Sequence, residues 1–176
     1  MTEPDILDVQ VTENDIVNTT TETDLWIYTV PANTLGTNKA LRVLIRCDYL
    51  NNSAGTANVR FRIYYGATEI VEDLGATTAI DAARRAYTID FMLWARNATN
   101  SQNVAGTVLV GAAGLATTGI GNLGDDELIT NGPFIGINSS EDSTASKVLK
   151  VTIAHSVADT NISLRRLYAV IELLAV

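Results

Sequence analysis

The chain has 176 residues, enough for one domain and a tail but short of the roughly 200–400 that two ordinary domains would take. With 47% apolar residues it can build a core, which excludes wholesale disorder. A net charge of −8 excludes nucleic acid as the main partner, since binding phosphates calls for a basic patch. Met1-Thr2-Glu3-Pro4-Asp5 has neither the basic nor the apolar region of a signal peptide. No apolar run approaches the roughly 20 residues of a membrane-spanning helix, so the expectation is a chain made in a cytoplasm with no membrane partner.

Residues 1–20 are acidic, Thr- and Asn-rich, and carry one short apolar patch at Ile6, Leu7, Val9 and Val11. That is too little to fold alone, so the stretch reads as an N-terminal arm, ordered only against something else. Residues 21–176 read as one domain. From Thr23 the period is two, with Leu25 and Ile27 alternating with Trp26, Tyr28 and Val30, and Pro31 ends the run because it cannot donate to a ladder. Leu41, Val43, Ile45, Cys47 and Tyr49 then share a face opposite Arg42, Arg46 and Asp48. After the turn Asn51-Asn52-Ser53-Ala54-Gly55, Val59, Phe61, Ile63 and Tyr65 alternate with Asn58, Arg60 and Arg62. A short strand covers 67–73, and residues 77–86 leave room for one or two helical turns without disturbing the sheet. Tyr87, Ile89, Phe91, Leu93 and Ala95 form the next inward face, and Val104, Val108 and Val110 a plainer one.

Residues 113–145 are rich in Gly, Asn, Ser and Asp, with a small apolar knot at Leu128, Ile129, Phe134 and Ile137; a stretch this long without pattern suggests a binding loop. Alternation returns with Leu149, Val151, Ile153, His155 and Val157. The closing segment pairs an apolar face of Leu167, Ala169, Ile171, Leu173 and Ala175 with a second one of Tyr168, Val170, Leu174 and Val176. Antiparallel strands with one wet face should alternate, so two apolar faces point to a subunit interface; a helix also fits the spacing, and strand is preferred because the preceding elements are strands. The expected elements are eight strands, at about 23–30, 39–50, 56–65, 67–73, 86–97, 102–112, 146–158 and 163–175. Eight antiparallel strands without a crossover helix describe an all-β sandwich, and eight is the jelly-roll number; the strand order is not readable here, which leaves a sandwich of another topology open.

Chemical motifs are sparse. Gly119-Ile120-Gly121-Asn122-Leu123-Gly124 matches G-x-G-x-x-G, but Asp125-Asp126-Glu127 follow where phosphates would sit and no βαβ unit does, so a flexible loop is the reading. His155 is the sole histidine and falls on an apolar strand face, which leaves zinc without a ligand set and a serine triad without an accessible base. Glu141 and Asp142, like the earlier acids, lack the spacing of a calcium loop. Cys47 is in phase with core positions and reads as a small buried hydrophobe. Sequons at Asn18, Asn51, Asn97, Asn138 and Asn161 read as by-products of polar turns. The pairs Arg84-Arg85 and Arg165-Arg166 are expected to be solvated or locally paired, with an intersubunit anchor as the lesser reading. No cofactor, metal or enzyme chemistry is expected.

The Thr-rich approach, the short strand, the Pro31-Ala32-Asn33-Thr34-Leu35-Gly36 turn, the long following strand and the Asn51-Asn52-Ser53 turn together resemble jelly-roll virion structural proteins of tailed bacteriophages. The resemblance covers residues 18–66 best and the last strand loosely, and carries no catalytic set. It implies a structural component located in the virion: a homotrimeric capsid decoration (cement) protein binding the major capsid protein, or a related head or tail piece. Expected subunit or capsid contacts are Ile6, Leu7, Val9 and Val11 of the arm with Tyr168, Val170, Leu174 and Val176 of the closing strand. The alternative is a carbohydrate- or receptor-binding module, with Trp26, Trp94 and Tyr64 as stacking platforms and residues 113–145 as its tip.

Overall fold

The computed structural model describes residues 4–72, 76–78, 80–111 and 132–174. Among these every regular element is a strand, and all pairings are antiparallel. There are twelve: β1 (Asp5–Gln10), β2 (Asn14–Val17), β3 (Thr23–Val30), β4 (Ala40–Asn51), β5 (Ala57–Tyr65), β6 (Thr68–Glu72), β7 (Ala76–Thr78), β8 (Asp81–Ala95), β9 (Gln102–Val110), β10 (Pro133–Ile135), β11 (Lys147–His155) and β12 (Ile162–Leu174). All eight expected strands are among them. The count of eight is corrected by β1, β2, β7 and β10, which are six residues or shorter and show too little alternation to register. No helical turn forms at the described residues of 77–86: 76–78 and 81–86 are strand. Ala-Ala-Arg-Arg has good helix propensity, but residues 81–86 continue the ladder that β8 makes with β4, and tertiary pairing overrides propensity.

The strands form two sheets. The larger runs β1-β12-β4-β8-β9-β10, with β2 also on β12; the smaller runs β3-β11-β5-β6, with β7 also on β5. The inward residues of both build a continuous core, including Leu41, Val43, Ile45, Tyr87, Ile89 and Phe91 from one sheet and Val59, Phe61, Ile63, Leu149, Val151 and Ile153 from the other. These are the alternating faces legible in the sequence. Two placements differ: Ile27 is 47% exposed while Trp26 and Leu25 are both buried, because the β11–β3 register slips between Val151 and Thr152, and Val157 lies beyond the end of β11, exposed.

Each open side of the sandwich is closed. On one, Gly136 N donates to Val104 O and Ile137 N to Ile70 O (2.8 Å), so the segment after β10 joins β9 to β6. Gly136 must be glycine, since a Cβ there would overlap the Ile70 carbonyl. Phe134 turns inward, edge-on to Phe61 at 5.5 Å, while Ile137 of the same expected knot is exposed. Leu128 and Ile129 lie outside the described residues. On the other side, the amide side chains of Gln10 and Asn14 donate to the Ile27, Asp24 and Leu25 carbonyls of β3 at 3.0–3.2 Å.

The turn after β3 is held from three directions. Asn33 and Gly36 take φ of 63° and 55°, a region that Asn and Gly enter at least cost. Thr34 donates to Pro31 O from both its backbone N (3.2 Å) and its hydroxyl (2.7 Å), which folds the turn on itself. Leu35 is thereby driven fully into the core. Buried Ser143 then accepts from Asn33 N and donates its own N–H to Thr99 O, both at 2.8 Å, stitching three loops together at this end.

Candidate interaction face

The residues of the arm and of the last strand meet because β12 is not an edge. It pairs with β4 on one side and with β1 and β2 on the other, so part of its two-sided apolar character is met within the chain. The helical alternative for the closing segment is replaced by thirteen residues of strand. Directly paired residues share a face, so the ladders define the outer surface of the large sheet row by row. Leu174, Ala40, Trp94 and Asn103 form one row. Ile6, Glu172, Arg42, Met92, Ala105 and Ile135 form the next. Then come Val9, Val170, Leu44, Asp90, Thr107 and Pro133, and next Tyr168, Arg46, Thr88 and Leu109; a charged row of Asp15, Arg165, Asp48 and Ala86 follows.

Five of the eight residues expected as contacts therefore lie on one outer surface: Ile6, Val9, Tyr168, Val170 and Leu174. Leu7 does not. The register slip between Ile6 and Asp8 turns it inward, where it packs against the core. Val11 is exposed on the link between β1 and β2, off the ladder. Val176 lies outside the described residues. Sequence reasoning missed Leu44, Met92 and Leu109, which lie in expected strands, and Ile135, which fell in the stretch read as a loop; Trp94 was singled out only as a stacking platform. The available signal was Leu44 between Arg42 and Arg46, and Met92 beside Trp94.

This surface is apolar in an unusual place. Ile135 is 86% exposed and Ile6 64%, with Val9, Met92 and Leu109 also exposed. Single exposed aliphatics are ordinary; here several share one sheet face, on both sides of a middle that carries Glu172, Arg42 and Asp90. Its charges nearly cancel: Arg42 holds Asp90 at 2.8 Å, Arg46 donates to Thr88 Oγ1 at 2.9 Å, and Glu172 stands in the Arg42 row.

The outer surface of the small sheet is the opposite. Arg62 reaches Glu22 at 2.6 Å, Glu72 at 3.3 Å and Glu69 at 3.6 Å, and Tyr64 donates to Glu69 at 3.1 Å. Lys150 pairs with Asp24 at 3.3 Å and sits 4.9 Å from the centre of the Tyr64 ring. Burial works to raise the Glu22 carboxyl, but hydrogen bonds from Thr152 and Tyr64 and the charge of Arg62 bring it below the usual range. This surface is dominated by paired charges, with Ile27 exposed beside Lys150.

The remaining sequence candidates are structural where they are described. His155 is buried, with Nε2 3.0 Å from Ile16 O, its ring 6.1 Å from Tyr49 and its Nδ1 without a partner among the described residues. Burial lowers its pKa, against the raising effects of the Ile16 carbonyl and Asp15. Cys47 is buried and its thiol is pushed up to about 12, chiefly by desolvation, which disfavours the thiolate. Glu141 is held by Lys147 Nζ (2.6 Å), Ala67 N (2.8 Å) and Thr68 Oγ1 (3.1 Å). The arginine pairs are locally engaged: Arg84 and Arg165 share Asp48 at 2.7 and 2.6 Å, Arg85 pairs with Asp81 at 3.1 Å, and Arg166 bonds Gln10 and the Thr12 carbonyl. The Gly119–Gly124 motif and Asp125, Asp126 and Glu127 lie outside the described residues.

The three aromatics of the carbohydrate reading do not share a groove. Trp26 is 1% exposed in the core, Trp94 belongs to the outer surface of the large sheet and Tyr64 to that of the small one. The platform is corrected accordingly.

No family model matches the chain, and no curated protein does. Among solved structures it is similar to the CBM2 module of the evolved Dit of Lactobacillus casei BL23 phage J-1, at 11% identity and a TM-score of 0.41, over 85% of this chain and 69% of that one. It is also similar to infectious bursal disease virus Gt strain, at 9% identity and a TM-score of 0.34, over 97% of this chain and 42% of that one.

Proposed function

We propose that this chain is a non-enzymatic structural protein of a bacteriophage virion, a homotrimeric decoration protein that seats on the major capsid protein through the outer surface of its large sheet. The observation that carries the reading is the contrast between two outer faces of one sandwich: one charged and paired for water, one apolar with nearly balanced charge. On a chain of net charge −8, a locally neutral apolar field is where a partner meets least repulsion.

The jelly-roll reading has support in the strand order. Taking β1–β2 and β6–β7 each as one strand, and setting aside β9 and β10, which add two strands beyond β8, the remaining order is 1-8-3-6 in one sheet and 2-7-4-5 in the other, the order a jelly roll would have. The sequence resemblance over residues 18–66 supports a virion role, and the buried His155 and Cys47 offer no accessible reactive group. Mass measurement by light scattering with co-sedimentation on expanded capsids tests the proposal. A trimer that pellets with capsids is expected; a monomer at all concentrations with no capsid affinity would overturn it.

A further inference from the structure

The arm is poorly paid for by apolar burial. Of its described residues, Ile16 alone is buried as a hydrophobe, Leu7 is partly buried, and Ile6, Val9, Val11 and Val17 are exposed. What holds it is backbone pairing to β12, nine Cα pairs in all (five from β1, four from β2), and a set of polar contacts. Those contacts are imperfect. Arg166 is buried beneath the arm, where it bonds Gln10 and Thr12 O but leaves Nε without a partner. His155 bonds Ile16 O but leaves Nδ1 without one. A buried cation that regains water when its cover lifts favours opening, and so does each unmet polar atom. Segments with few buried apolar contacts open locally at low free energy.

Between arm and body, residues 18–22 are mostly exposed; Asn18 N donates to Ile162 O at 3.4 Å and Glu22 is held by Arg62 and Thr152, so the hinge falls at residues 19–21. The seat left behind is specific. It consists of the β12 edge in one register, the Arg166 guanidinium, the His155 Nε2–H, and the β3 carbonyls of Asp24, Leu25 and Ile27. The segment shown to complement that seat is this arm, and every copy of the chain carries both.

We propose that the arm is an exchangeable strand, and that in the assembled protein β1 and β2 of one copy occupy the β12 edge of another. The inference rests on the homo-oligomeric reading above and names the contact that joins the copies. Exchange of this kind replaces identical interactions, so it costs only the hinge.

Cysteine pairs at facing positions test it, and Cys47 is too buried to interfere. Val9 faces Val170, and Val17 faces Ser163. Copies carrying only Val9→Cys are mixed with copies carrying only Val170→Cys, equilibrated and oxidised; Val17→Cys with Ser163→Cys is the second pair. Disulfide-linked heterodimers in the mixture, from either pair, are the expected result. Double variants that close only within one chain, with no mixed cross-link from either pair, would overturn the exchange. If the light-scattering mass is still trimeric in that case, the assembly reading stands and only the exchange is lost.

Discussion

His155 makes stability pH-dependent in a defined direction. Its folded pKa lies below the ordinary value of about 6.5, so the unfolded chain takes up a proton first as pH falls. Stability from this group is complete above about 6.5 and declines below it until the depressed folded value is reached. The groups around it are Asp15 of β2 and Tyr49 of β4, with the Ile16 carbonyl as its hydrogen-bond partner. In urea titrations from pH 8 to 5, the wild-type midpoint should fall relative to that of His155→Gln; parallel curves for the two would refute the assignment. Gly66 gives a second test. Its φ is 62°, and a Cβ there would lie 2.5 Å from Cδ of Glu141, whose carboxylate is fixed by three partners. Gly66→Ala should cost about 1–2 kcal/mol from the backbone alone, read as a lowered unfolding midpoint, and more if the Glu141–Lys147 pair parts.

At the scale of the element, the turn after β3 matters for packing. Leu35→Ala removes a fully buried side chain from the end of the core and should cost about 2–5 kcal/mol, measured by chemical denaturation. A loss under about 1 kcal/mol would mean that the Ser143 stitch, rather than Leu35, sets this end. Long strands such as β4, β5 and β8 were legible because half their residues face one core, which imposes alternation on the sequence. β1 and β2 were not, because they are held by a backbone ladder and side-chain amides, which leave no hydrophobic period. The same limit applied to the interaction face. Tyr168, Val170 and Leu174 stood out within one strand, whereas Met92, Leu109 and Ile135 come onto one sheet face only through the pairing of β8, β9 and β10.

For the whole molecule, the two unlike faces predict unlike mutational outcomes. Met92→Lys and Ile135→Lys replace exposed side chains, so each should change stability by no more than about 0.5 kcal/mol. Together they should lower capsid affinity at least tenfold in co-sedimentation, because a desolvated cation without a partner is costly at an interface. Arg60→Glu, on the small sheet, should leave binding unchanged. Equal loss from both faces would remove the contrast on which the docking surface rests.

The pairing of Asp5 with Leu173 has a mechanical corollary. The first and last described strands leave the sheet side by side, at the same corner. A load drawn between those two points would break the β1–β12 ladder one rung at a time, peeling it rather than shearing all rungs at once. The fold should therefore yield softly at that corner while the β4–β8 interior stays intact, and tethers placed near the two points would emerge together from one side of the molecule.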